Sequence, residues 1–349
     1  MTSAAARMDL SIAAELVRRA TTLAVEARRG LPPEAIVEKP DGSVVTAVDV
    51  ALQVFVLDAL ERAYGAIPTI AEEDLASIGG KPAAEAHCAT LLRSWGFDGG
   101  ADRVRWALSS GALDGSTRGL ERVWILDPID GTQGFIDGAH WCPCLALLAH
   151  GEVVFGANGH PTVARERFEG GVALAAERGG GTWMRAIAAQ NPASTRASVS
   201  TERPAPGDAV RVVASARSTP SQDRFRREVG ESTGHPATLV HSDSQTKYGL
   251  VIAGDADIAY SRRGAGPGKY VWDHAGAILL AREAGAWVGD TDGRDIDCSQ
   301  GRRLSANRAV ICAARGLGPA VAAKLAARDV EEGLVPGGAH GAVRASCAG

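Results

Sequence analysis

The chain is 349 residues long, long for one domain and comfortable for two, with 45% apolar and 22% charged residues. A formal net charge of −4 and the absence of any Lys/Arg-rich run exclude a basic field for gripping nucleic acid, so a small-molecule partner is expected. The longest apolar runs, 145–149 and 275–281, are far too short to cross a bilayer, and residues 1–7 lead into no apolar signal segment, so no membrane partner and a cytoplasmic location are expected.

In chain order, residues 9–29 place Ala13, Leu16, Val17, Ala20, Leu23 and Ala24 on one helical face and meet a stop at Gly30. Val48, Leu52, Phe55, Val56, Leu60 and Ala63 mark a second helix between Thr46 and Gly65. A short strand at 66–70 then runs directly into Glu72-Glu73-Asp74. The stretch 79–119 mixes Gly, Pro and charge around one weak helical piece at 84–95, and reads as an insertion or lid. Residues 123–126 form a buried strand ending at Asp127. The pairs 144–149 with 153–157 and 172–176 with 182–184 read as hairpins. The polar, Pro-containing segment 186–208 reads as a linker.

Beyond it the elements alternate: strand 210–214, helix 221–231, strand 238–241, helix 245–253, strand 257–260 and helix 273–284, a layered α/β pattern. One more helix follows Gly316, and the Gly/Ala-rich tail from 335 is expected to be loose. The expected division is an N-terminal α+β domain (1–185), a C-terminal α/β domain (186–330) and a tail (331–349). Six cysteines (Cys88, Cys142, Cys144, Cys298, Cys312, Cys347) show neither C-x-x-C nor zinc-like spacing, so free thiols in a reducing compartment are expected.

The chemistry concentrates in Trp124-Ile-Leu-Asp127-Pro-Ile-Asp130-Gly-Thr132-Gln-Gly-Phe135. A buried strand delivers Asp127 at its C-terminal end, where open α/β folds place their sites. Pro128 forces a turn and Asp130 follows; Gly131 and Thr132 then open a short helix whose free N–H groups suit a phosphate. Mg²⁺ takes oxygen ligands and leaves positions for phosphate and water, which two carboxylates beside a phosphate cradle satisfy. Taken alone, the same spacing also fits a turn with Asp130 as a helix cap. Glu72 and Glu73 leave a strand end in the same way, and on their own they also fit a solvated acidic turn. Asp273 in Val271-Trp272-Asp273-His274-Ala275-Gly276 opens an apolar helix, as a cap, as a ligand or as both. Asp49 stands three residues after Thr46 at capping-box spacing.

Together, Asp41-Gly-Ser-Val-Val-Thr46-Ala-Val-Asp49, Ala71-Glu72-Glu73-Asp74, the 127–135 segment and Trp272-Asp273-His-Ala-Gly276 resemble the inositol monophosphatase superfamily, over roughly residues 10–315. Those proteins are Mg²⁺-dependent, lithium-sensitive phosphatases. Within the superfamily, Gln133-Gly-Phe-Ile-Asp-Gly138, Cys144-Leu-Ala-Leu-Leu, Asp243-Ser244-Gln245-Thr246-Lys247-Tyr248 and the long gap from Glu72 to Asp127 resemble the 3′(2′),5′-bisphosphate nucleotidase branch, which removes the 3′-phosphate of 3′-phosphoadenosine 5′-phosphate. The resemblance implies a layered αβαβα sandwich of the sugar-phosphatase type with the site between its halves, and a monomer or homodimer. It implies two or three Mg²⁺ ions held by Glu72, Asp127, Asp130, Asp273 and the Ile129 carbonyl. It makes Asp49 and Thr132 the pair that activates water, and gives the scissile phosphate to the backbone of Gly131 and Thr132. Ser244, Lys247 and one of Arg262 or Arg263 are then substrate contacts. One departure stands out: in Ala214-Ser-Ala-Arg-Ser-Thr219 the nucleotidase pattern ends in a His that lies against adenine, and Thr219 replaces it.

No G-x-S-x-G, C-x5-R or Walker loop is present, so neither a covalent nucleophile nor an NTPase site is expected. Two alternatives remain open from sequence. One is a phosphatase for another nucleotide, an inositol phosphate or a sugar phosphate. The other is a silent metal- or nucleotide-binding protein.

Overall fold

A computed structural model describes residues 8–163, 168, 170–188, 194–199, 202, 204–214, 219–262 and 269–332. The first half runs α1 (Ser11–Arg28), β1 (Ile36–Glu38), β2 (Val44–Thr46), α2 (Ala47–Tyr64), β3 (Thr69–Ala71), α3 (Pro82–Ser94), α4 (Gly100–Ser110), β4 (Arg122–Asp130), α5 (Thr132–Asp137), β5 (Cys142–Ala149), β6 (Glu152–His160), β7 (Val172–Glu177), β8 (Thr182–Ala186) and β9 (Thr195–Arg196). The second runs β10 (Val210–Ala214), α6 (Thr219–Thr233), β11 (Ala237–His241), α7 (Thr246–Ala253), β12 (Ile258–Arg262), α8 (Ala275–Glu283), β13 (Trp287–Gly289), β14 (Ala309–Ala313) and α9 (Gly318–Glu331).

Strands β3 to β9 form one sheet in sequence order, with β3 and β4 parallel and the remaining pairs antiparallel. The second sheet has the order β11-β10-β12-β14-β13. Helices α1 and α2 cover one face of the first sheet, and α8 lies on the other face against β5, β6 and β7. With α7 beside it, α8 also meets the inner face of the second sheet, whose outer face carries α6 and α9. The result is the expected αβαβα order, with one apolar cluster per helix layer.

The sequence anticipated α1 to α3 and α5 to α9 and missed several other elements. Residues 79–119, expected to hold one weak helix in an insertion or lid, form both α3 and α4. These pack on α2 and bury Ala84, Cys88, Leu92, Ala107 and Leu108 in the same cluster. Their cover explains why α2 is buried all round from Ala47 to Asp58 rather than on one stripe. The 186–208 segment, expected as a linker, supplies the last strand of the first sheet at Thr195–Arg196 and buries Ala197 and Val199. Strands β13 and β14, unforeseen, insert antiparallel pairing into the second sheet. Asp273 does not cap α8; the N-cap is His274, with no side-chain cap bond.

Gly276 seats α8 directly on the sheet. A Cβ there would lie 2.8 Å from the Leu145 carbonyl oxygen, and one on Gly156 would collide with the Gly276 carbonyl. This close approach carries Asp273, three residues earlier, to the end of β4.

Candidate active site

The register of β4 on β5 slips between Asp127 and Asp130, so both carboxylates escape the regular alternation of the strand. Oxygens of Asp127, Asp130 and Asp273 lie within 4.8 Å of one another. Asp127 is 1% exposed and its Oδ1 has no hydrogen-bond partner. Asp130 and Asp273 keep some surface open, yet protein surrounds them deeply enough that burial is the largest influence on each. Burial, then Glu72, Asp130 and Asp273, push the Asp127 carboxyl far above the usual carboxylate range. Burial and the neighbouring Cys142 and Asp273 push Asp130 up in the same way. Asp273 rises to about 6, chiefly through burial and against the pull of Lys247 and Lys269. Three converging carboxylates and an orphaned buried oxygen form a poor resting arrangement without a cation and fit a hard divalent ion well.

Glu72 arrives through the parallel pairing of β3 with β4, its N–H donating to the Leu126 carbonyl at 3.2 Å. Its negative charge is one of the influences that raise the Asp127 carboxyl. Burial and Glu73 push it up to about 8, with Lys39, 3.6 Å away, opposing. The Ile129 carbonyl accepts from the Thr132 hydroxyl at 3.2 Å.

Asp49 does two jobs at once. Its Oδ2 accepts from the Thr46 N–H at 3.0 Å and from the Thr46 hydroxyl, completing a capping box on α2. Its Oδ1 accepts from the Thr132 hydroxyl at 3.1 Å, joining α2 to the start of α5. Burial, then Glu73, pushes this fully buried acid up to about 7. Gly131, at φ +87°, needs the left-handed freedom of glycine, and a Cβ there would meet Ser244 Cβ at 2.8 Å.

Beside these acids, a 370 Å³ cavity is lined by Asp130, Asp273 and His274 together with Lys247, Lys269, Tyr260 and Arg262. Lys247 Nζ donates to the Ser244 carbonyl at 3.3 Å. Ser244 Oγ accepts from the Thr246 N–H at 3.1 Å, so this buried hydroxyl is engaged at the start of α7. Arg262 reaches the cavity wall but pairs with Asp329 at 3.1 Å and with Glu332 at 2.5 Å. Thr219 begins α6, and its side chain, like all of Arg263, lies outside the described residues. The structure thus brings Asp49, Glu72, Asp127, Asp130, Thr132 and Asp273 together. It occupies Arg262 with acids of α9.

A family model described as the inositol monophosphatase family matches residues 6–333. The chain belongs to that family. It is 30% identical over 336 residues to a 3′(2′),5′-bisphosphate nucleotidase of Schizosaccharomyces pombe, covering 89% of this chain and 92% of that protein. It is 29% identical over 324 residues to a probable 3′(2′),5′-bisphosphate nucleotidase 4 of Arabidopsis thaliana, covering 89% and 92%. Among solved structures it is similar to the Thermotoga maritima IMPase, with TM-score 0.61 at 20% identity over 93% of this chain and 98% of that one. The phosphatase assignment drawn from the motifs stands with the family. None of the described helices is long and apolar enough to cross a membrane.

Within this family member several site residues escaped the sequence. Lys39 Nζ pairs with Glu73 at 2.8 Å and lies near Glu72, holding the β3 acids from the β1–β2 turn. Its only sequence signal was its place just before Pro40-Asp41-Gly42. Gln245 donates its backbone N–H to Asp130 Oδ2, and its side-chain amide donates to the Trp272 carbonyl at 2.7 Å. One residue therefore ties the Asp130 turn to the Asp273 turn. Lys269, in the cavity wall, was hidden after the Gly/Pro-rich 264–268 run.

Proposed function

We propose that this phosphatase removes the 3′-phosphate of 3′-phosphoadenosine 5′-phosphate, using two or three Mg²⁺ ions held by Glu72, Asp127, Asp130, Asp273 and the Ile129 carbonyl. The observation that carries the reading is the carboxylate group with its partnerless Asp127 oxygen, opening on a cavity also lined by Lys247 and Lys269. Bound there, Mg²⁺ supplies neutralisation of the phosphate oxygens and a lowered pKa for the attacking water.

The chain's own residues supply positioning and proton handling. Thr132 Oγ1 takes a proton from the water as its own proton passes to Asp49 Oδ1, an acceptor raised to about 7 and therefore close to balance at neutral pH. The N–H groups at Gly131 and Thr132 hold the phosphate undergoing attack. Because the transition state is loose, placement and charge dominate, and no covalent nucleophile is needed. Lys247 donates to the second phosphate as a point charge. Phe225 and Tyr260, with ring centroids 4.6 Å apart, offer an aromatic wall for the base. Residues 1–185 and 186–330 are read as the two halves that meet at this cleft.

Thr219 in place of the expected His favours a second reading, a phosphatase for another phosphate ester. Phosphate release from 3′-phosphoadenosine 5′-phosphate, 5′-AMP, inositol 1-phosphate and a sugar phosphate, each with Mg²⁺ and with excess chelator, separates the two. Preference for the bisphosphate supports the first. Preference for a monophosphate rejects it, and full activity in chelator rejects the metal chemistry in both.

A further inference from the structure

Two thiols stand beside Asp130 that the proposed hydrolysis does not use. Cys142 and Cys144 flank Pro143 on β5, so alternation of the strand sends both side chains to one face. Register sets Cys142 opposite Asp130 and Cys144 opposite Asp127. Their sulfurs are 3.5 Å apart. With an oxygen of Asp130 they form a group whose members all lie within 4.8 Å of one another. Two thiolates at about 2.3 Å from a tetrahedral ion sit about 3.8 Å apart, so this pair needs to open by only a few tenths of an ångström. Buried His160, whose Nδ1 meets the Thr246 hydroxyl at 3.4 Å, lies close to Cys142. Asp130 lines the open cavity and provides a way in.

Two sulfurs and one carboxylate make a donor set that Mg²⁺ avoids and soft ions select. We propose that Cys142, Cys144 and Asp130 form a binding site for a thiophilic divalent cation of the zinc or cadmium type, sharing Asp130 with the neighbouring acid group. Binding takes both sulfurs as thiolates, displaces to solvent the protons that the three donors carry and leaves every oxidation state unchanged. Asp130 cannot serve both ions fully, so the soft cation inhibits by competing with Mg²⁺. The inhibition rests on the proposed function, whereas the binding does not.

The test titrates metal-free protein with Cd²⁺ and follows the ultraviolet thiolate-to-cadmium band. X-ray absorption of the equimolar wild-type complex then counts the sulfur neighbours without any mutation. Two sulfurs with oxygen completing the shell are expected, and Cys142→Ser or Cys144→Ser should each weaken binding on the order of 100-fold. Cadmium with oxygen neighbours only overturns the site, as does a band that survives unchanged in both variants. In phosphatase assays, Zn²⁺ inhibition should be relieved by raising Mg²⁺ in wild type and should require more Zn²⁺ in Cys142→Ser. Inhibition that ignores Mg²⁺ overturns the shared carboxylate. If phosphatase activity is missing altogether, the proposed function fails, and the cadmium spectrum still decides the site.

Discussion

On one side of the cleft, Asp127, Asp130 and Thr132 come from six consecutive residues at the end of a buried strand, fixed by backbone pairing to β3 and β5. On the other, Lys247, Lys269 and Arg262 come from α7, a loop and β12, and their placement depends on side-chain contacts. The first region concentrates like charges that repel. The second carries cations, one of them already committed to Asp329 and Glu332. A site that must organise metal ions needs rigid oxygen geometry, and a buried strand with a bulge supplies it. A site that only chooses among phosphate esters can use longer side chains on separate elements, which change with less effect on the fold.

The largest effect should follow from disturbing the rigid side. Asp127→Asn keeps the shape and removes charge at a proposed metal ligand, so kcat with Mg²⁺ should fall on the order of 10³-fold, as several kcal/mol of electrostatic stabilisation implies. The same variant should lose the Mg²⁺-induced rise in Tm. Wild-type turnover by Asp127→Asn would break the contrast between the two regions at once.

On the cationic side, Lys247→Met should lower kcat/KM about ten-fold for a bisphosphorylated nucleotide, as the loss of one charge-assisted bond implies. It should change a monophosphate far less. Steady-state kinetics with both substrates checks this, and equal losses would make Lys247 a partner of Asp130 and Asp273 rather than of the substrate.

The acids also set a pH response for the metal-free protein. A carboxyl whose folded pKa exceeds its unfolded value keeps, in the folded chain, a proton that the unfolded chain has released. Stability therefore falls as pH climbs between the two values. Asp273 at about 6, Asp49 at about 7 and Glu72 at about 8 place this loss between roughly pH 4 and pH 8. Tm measured in chelator should decrease across that window, and saturating Mg²⁺ should flatten or reverse the trend. A Tm in chelator that rises with pH would contradict the crowding of acids described above.

The smallest effect belongs to Arg262→Ala. Its guanidinium is held by Asp329 and Glu332, so kcat/KM should move less than about three-fold while stability drops by about 1 kcal/mol, readable in urea unfolding. A ten-fold loss specific to the bisphosphate would return Arg262 to the substrate.

The sequence by itself determined the acid-bearing half of the candidate site. Asp127-Pro-Ile-Asp130-Gly-Thr132 is legible because its chemistry follows from covalent neighbours, a buried strand and a glycine at positive φ, although the expected turn at Pro128 is a slip of register within β4, which runs on to Asp130. Thr46 and Asp49 are legible as a capping box for the same local reason. Apolar periodicity likewise placed α1 and α2, whereas the layer order followed from the family resemblance. Tertiary structure alone decided that Asp49 Oδ1 also reaches Thr132, 83 residues away, and that Gln245 bonds both the Asp130 turn and Trp272. It alone decided that Lys39 braces Glu73, that α3 and α4 bury α2, and that Arg262 turns to α9. Each of these rests on hydrogen bonds, ion pairs or packing between distant segments. Such pairings form only once helices and sheets have docked, and neither periodicity nor motif spacing carries their register.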